Sequence, residues 1–151
     1  LENRELSWLP SYGPEMRGGT ANCNVILSDV PVGSPIVQTP NVLMVMNNPS
    51  LDKYEDTVVP GGRIFIDSTL VPRKIRRTDV EAYYIPATKL ACDIGMPTLA
   101  NMLLLGALVE RTGCVSFDSI VPALHKVIPA RKADLFDANI QAVQAGREYQ
   151  K

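Results

Sequence analysis

The chain predicts an α/β fold: a three-layer α/β/α sandwich on a mostly parallel sheet, with an antiparallel hairpin at its edge. Two patterns carry that expectation. The runs Val42-Leu43-Met44-Val45-Met46 and Ile64-Phe65-Ile66 are continuously apolar, as strands covered on both faces are, whereas a half-exposed sheet alternates. Strand-like and helix-like stretches then alternate over short connections, the order that successive parallel strand–helix–strand units produce.

Taken in order, Glu5 to Leu9 and Ala21 to Leu27 read as the two strands of the hairpin. Ser28 to Pro35 is turn-forming, and Ile36-Val37 reads as a brief edge strand beyond it. After the strand at 42–46, Asn48 is the expected cap of a helix over Pro49 to Thr57, with Pro49 first, where its missing N–H costs nothing. Pro60-Gly61-Gly62 turns the chain into a buried strand from Arg63 to Asp67. Val80 to Ile85, with two tyrosines, reads as the next strand, and Ala87 to Asp93 as a short helix stopped by Gly95. Pro97 to Thr112, ended by Gly113, is a helix apolar almost all round, so it must be buried on most sides. Gly106 inside it costs roughly 1 kcal/mol relative to alanine, which predicts close contact with a neighbouring element. Ser116 caps a helix carrying Phe117, Ile120, Val121 and Leu124 on one face, with Pro122 as a bend. A last helix, Ala130 to about Tyr149, shows Phe136, Ile140 and Val143 on one face and polar residues on the other, and is expected at the surface.

Length and composition allow one domain, 1–151, with a single continuous core. Fifteen basic and sixteen acidic residues leave a net charge of −1, which excludes a general attraction to nucleic acid or an anionic membrane. The basic run Arg73-Lys74-Ile75-Arg76-Arg77 reads as a solvated connection or as a local anion or partner contact. Met102 to Val109, the longest apolar stretch, is far short of the ~20 residues a bilayer requires. The start lacks a signal-peptide pattern, so the expected location is cytoplasmic. Cys23, Cys92 and Cys114 are scattered, with no C-x-x-C pair, which argues against a zinc or iron–sulfur site built by this chain alone and fits reduced thiols. His125 falls on a helical pattern without a nucleophile or carboxylate partner, and no phosphate-binding G-x-x-x-x-G-K-[ST] run occurs.

The most unusual stretch joins the first two strands: Trp8-Leu9-Pro10-Ser11-Tyr12-Gly13-Pro14-Glu15-Met16-Arg17-Gly18-Gly19-Thr20-Ala21-Asn22-Cys23. Two prolines fix the backbone around Tyr12-Gly13, and Gly18-Gly19 lets another molecule approach the main chain. Arg17 beside those N–H groups suits a phosphate or carboxylate. The same residue types also make a rigid turn whose Arg17 pairs with a carboxylate of its own or a neighbouring subunit. If the strands run parallel, Asn47-Asn48-Pro49, Asp67-Ser68-Thr69 and Pro86-Ala87-Thr88 follow their carboxyl ends, where open α/β sheets bind ligands. Asn48 and Thr88 read chiefly as helix caps. Asn47, Ser68 and Arg17 stay open between turn closure and ligand contact.

The run LPSYGPEMRGGTANC resembles the signature of the gamma subunit, or gamma domain, of the 2-oxoacid:ferredoxin oxidoreductases. Further blocks similar to that family follow in order: Gly33-Ser34-Pro35, Met46-Asn47-Asn48-Pro49-Ser50-Leu51-Asp52-Lys53-Tyr54, Val59-Pro60-Gly61-Gly62, Asp67-Ser68, Ile85-Pro86-Ala87-Thr88, and Asn101-Met102 with Leu105-Gly106-Ala107. An ordered series is far more specific than any one motif. Family domains open with a glycine-rich strand–turn–helix, whereas this sequence begins at Leu1-Glu2-Asn3-Arg4, so the expectation is a domain truncated at its N-terminus.

The resemblance implies an enzyme that decarboxylates a 2-oxoacid, passes electrons through iron–sulfur clusters to ferredoxin and yields an acyl-CoA. In that family thiamine diphosphate is held by other subunits, and the gamma part assembles with them and takes part in receiving coenzyme A. The implied partners are alpha and beta subunits, with a delta subunit where one exists, and no catalytic residue or metal ligand falls on this chain. Because the chain stands alone rather than fused to its partners, 2-oxoglutarate is the expected substrate, with pyruvate and ketoisovalerate open. Ser11, Tyr12, Gly13, Glu15, Arg17, Gly18, Gly19, Thr20, Asn47 and Ser68 are the candidates for coenzyme A or subunit contact. The competing reading is a stand-alone module that binds a phosphorylated metabolite through Arg17-Gly18-Gly19.

Overall fold

The apolar runs form the centre of the molecule, a parallel three-stranded sheet of β3 (Val42–Val45), β4 (Arg63–Asp67) and β5 (Glu81–Ile85) in that order. The computed structural model describes residues 1–11, 21–129 and 134–149. In β4, Ile64 and Ile66 point to one face and Phe65 to the other, and all three are fully buried, each contributing about 1.5–3 kcal/mol by leaving water. On the first face, Val45, Ile64 and Ile66 pack with Leu51, Val58 and Val71. On the second, Phe65 and Ile85 pack with Ala87, Ala91, Leu103, Leu104 and Ala107. Helix α1 (Asn48–Tyr54) therefore covers one side, and α2 (Ala87–Asp93) with α3 (Ala100–Thr112) the other. That arrangement is the expected three layers.

Asn47, not Asn48, caps α1: its backbone is extended and its Oδ1 accepts from Ser50 N at 2.8 Å. Asn48 is already helical, and the helix ends at Tyr54 in a 3₁₀ turn, Glu55–Thr57. The stretch from Pro97 also divides, into a 3₁₀ turn at Pro97–Leu99 and then α3, which Gly113 closes in the left-handed region at φ 60°. Ser116 accepts from Asp118 N at the turn before α4 (Ile120–Val127). Pro122 lies in the first turn of α4, where no helical N–H is lost.

The last helix, α5 (Asp134–Glu148), is not a surface element on every side. Ala142 and Val143 are buried, and its backbone meets that of α3. A Cβ on Gly106 would lie 1.9 Å from Val143 O, and one on Gly146 would lie 1.8 Å from Leu103 O. Each glycine thus admits the other helix's main chain. The polar face read from the sequence hid this contact, because small residues rather than large apolar ones make it.

β1 (Glu5–Ser11) and β2 (Asn22–Ser28) pair antiparallel as expected, but as a separate two-stranded sheet rather than as a margin of the parallel one. Ile36-Val37 forms no strand. Two residues between turn-formers offer too few ladder positions to pair. The hairpin is stitched to the body at both ends. Ser116 N donates to Glu2 Oε1 at 2.7 Å, Arg4 Nη1 donates to Cys114 O at 3.0 Å, and Asn22 Nδ2 donates to Tyr54 Oη at 2.8 Å.

Candidate functional site

Parallel strands deliver three turns to one edge, and the register there decides which candidates meet. Val45 pairs with Ile66, so Asn47 and Ser68 each lie two residues past the last paired position on neighbouring strands. Asn47 is engaged as the α1 cap, while Ser68 is half-buried and extends the sheet through Ser68 N to Ile85 O at 2.9 Å. Asp67, fully buried between them, accepts from Thr69 N and Thr88 N at 3.1 Å each and from the Thr88 hydroxyl. It ties the exits of β4 and β5 together and caps α2 from outside, which is where the sequence placed only Thr88. Asn48 Oδ1 is buried and has no hydrogen-bond partner among the described residues.

Ser11 stands at the end of β1 opposite Asn22, whose amide reaches Tyr54 at the far end of α1 from the Asn47 cap. Tyr12, Gly13, Glu15, Arg17, Gly18, Gly19 and Thr20 lie outside the described residues. The structure therefore brings Asn47 and Ser68 to one edge and plants the described feet of the loop, Ser11 and Asn22, beside α1.

Two features escaped the reading of the sequence. The first is the basic run at 73–77, which is not a solvated connection but a clasp on the buried carboxylate of Glu55. Arg76 N and Arg77 N both donate to Glu55 Oε1, and Arg77 Nη1 donates to Glu55 O at 3.2 Å and to Val58 O. Arg73 Nη2 sits 2.9 Å from Glu55 Oε2 and 2.7 Å from Asp52 Oδ1. Both approaches lie off the line of a well-directed hydrogen bond, so charge holds them more than direction. Burial pushes the Glu55 pKa up, but the two backbone donors and the Arg73 guanidinium outweigh it and hold the carboxyl below its ordinary range. Arg77 forks onto Asp79 at 2.8 and 2.6 Å.

The second is the outer face of the hairpin. Leu6 pairs with Leu27, Trp8 with Val25 and Pro10 with Cys23, so these six side chains share one face, and all are exposed. The opposite face, with Ser7, Asn22, Asn24 and Ser28 alongside Leu9 and Ile26, is the half-buried one. This inverts the usual arrangement of a half-covered sheet.

Chemically the described residues offer association rather than catalysis. No three His, Cys, Asp or Glu side chains among them converge to hold a metal, and His125 stacks on Phe136 with ring centroids 3.8 Å apart. No described helix is long and apolar enough to cross a membrane.

Residues 1–149 match the family model for pyruvate ferredoxin/flavodoxin oxidoreductase. The chain is 36% identical over 152 residues to the 2-oxoglutarate synthase subunit KorC of Methanocaldococcus jannaschii, covering 99% of this chain and 80% of that protein. It is 40% identical over 150 residues to the ketoisovalerate oxidoreductase subunit VorA of Methanothermobacter thermautotrophicus, covering 98% of this chain but only 31% of VorA. The solved gamma subunit of a keto/oxoacid ferredoxin oxidoreductase from Geobacter sulfurreducens superposes with a TM-score of 0.77 at 30% identity, over 96% of this chain and 79% of that one.

Proposed function

The chain belongs to the pyruvate ferredoxin/flavodoxin oxidoreductase family, and from that premise we propose that it is the gamma component of a 2-oxoacid:ferredoxin oxidoreductase. The match over 99% of this chain to a protein named as a 2-oxoglutarate synthase subunit carries the proposal and favours 2-oxoglutarate as substrate. The complex would oxidatively decarboxylate the oxoacid to an acyl-CoA and reduce ferredoxin. The described residues present no converging metal ligands and so do not fit an iron–sulfur cluster. Those clusters and thiamine diphosphate are assigned to companion alpha and beta subunits. This chain's part is assembly and the reception of coenzyme A. Arg17 with the Gly18-Gly19 backbone supplies the charge and N–H groups that a coenzyme A phosphate requires, with Ser11, Tyr12, Gly13, Glu15 and Thr20 in the same loop. Asn47 and Ser68 are further candidates at the sheet edge.

Reconstitution tests the reading. Companion subunits purified with this chain should reduce ferredoxin with 2-oxoglutarate and coenzyme A, and those purified without it should not. In the assembled enzyme Arg17→Ala should raise KM for coenzyme A about tenfold with kcat little changed, the pattern of lost ground-state binding worth about 1.4 kcal/mol. Activity of the companions without this chain would overturn the proposal. Coenzyme A binding by the isolated chain without any companion would favour the stand-alone module instead.

A further inference from the structure

The outer face of the hairpin has the composition of an interface centre with nothing on it. Trp8 is 65% exposed, Leu6 63%, Val25 54% and Leu27 39%. With Pro10 and Cys23 they make roughly 500 Å² of contiguous surface without a charged side chain, at the upper end of what monomers expose. That is over half of the ~800 Å² each partner gives to a standard interface, and the uncharged, tryptophan-bearing make-up is that of its core rather than its rim. A two-stranded hairpin is at best marginally stable by itself, and this one turns its more polar face towards the body.

The relatives indicate the occupant. The same domain makes up 80% of one relative and 31% of another, so it occurs both as most of a chain and as a minor part of a longer one. When it is a separate chain, contact with what the longer relative carries covalently must be made by surface alone. We propose that the face of Leu6, Trp8, Val25 and Leu27 docks an uncharged apolar face of a companion subunit of the same oxidoreductase. The inference rests on the gamma-component reading and adds the surface to it.

The test uses the full chain, alone and co-expressed with the companion subunits. The wild-type chain should retain them, and N-ethylmaleimide should label Cys23 at least tenfold more slowly in the complex. Exposed Cys92 on α2 should label at an unchanged rate as the internal control. Trp8→Glu, which changes an exposed side chain, should lose the companions while melting at the wild-type temperature. If Trp8→Glu retains them and Cys23 labels as fast as in the isolated chain, the docking face is wrong while the gamma-component reading stands. If the wild-type chain binds no companion, both fall. If the isolated chain is a dimer by light scattering with Cys23 protected, a second copy is the occupant and the inference is overturned.

Discussion

At Glu55, burial and charge oppose each other, and the outcome sets a measurable pH dependence. A carboxylate taken wholly out of water is unfavourable unless it is paired and hydrogen-bonded. Two backbone N–H groups, the Arg73 guanidinium and the Arg76 Nε at 3.6 Å supply that compensation. Because the folded-state pKa lies below the ordinary 4.5, the unfolded chain binds the proton more readily. The contribution to stability is therefore complete above pH 4.5 and is lost as pH falls through the lower folded-state value. Glu55→Gln removes the charge but leaves one acceptor, and Arg73 keeps Asp52 at 2.7 Å. The expected loss is about 2–3 kcal/mol, at or below the 3–5 kcal/mol for stripping a buried pair of one partner. Urea unfolding at pH 7 and pH 4 checks both parts: the variant is less stable at pH 7, and the gap narrows at pH 4.

Among the elements, the α3–α5 crossing is where a single methyl group should matter most. Alanine is worth roughly 1 kcal/mol more than glycine within a helix, so propensity alone makes Gly106→Ala stabilising. The added carbon would meet Val143 O at 1.9 Å, and a backbone atom in a packed helix cannot swing aside as a flexible side chain does. Overpacking of this kind costs about 1–3 kcal/mol or more and outweighs the propensity gain. Gly106→Ala and Gly146→Ala should each lower the thermal midpoint by several degrees, and a rise in either would refute the close crossing. What the sequence disclosed and what it hid divide along the same physical line. The strands at 42–46 and 63–67 and the helix at 87–93 were legible because continuous apolar runs and stop residues are local signals. The Asn47 cap was misplaced by one residue because two asparagines precede Pro49 and either side chain suits the role. The α5 contact was illegible because Gly146 and Ala142 carry little hydrophobic signal, and the Glu55 clasp because its donors lie 21 and 22 residues away.

For the molecule as a whole, the two sheets are held to very different degrees. β4 is fully buried from Ile64 to Asp67, with helices on both faces. The outer face of the hairpin is in water, and its side-chain ties to the body are those of Glu2, Arg4 and Asn22 at its two ends. Alternation in the sequence told that each hairpin strand has two faces. It could not tell which face the body covers, because both carry apolar residues. Amides that open only with global unfolding exchange far more slowly than those released by local separation of an element. In the isolated chain, β1 and β2 amides should therefore exchange at least a hundredfold faster than those of Ile64, Phe65 and Ile66, an interval of about 2.7 kcal/mol between local and global opening. Covering the outer face in an assembled enzyme ties the hairpin on its second side, so β1 and β2 should slow towards β4 while β4 itself changes little. Equal protection of the two sheets in the isolated chain would mean that the hairpin is stabilised by the body alone and has no need of a partner.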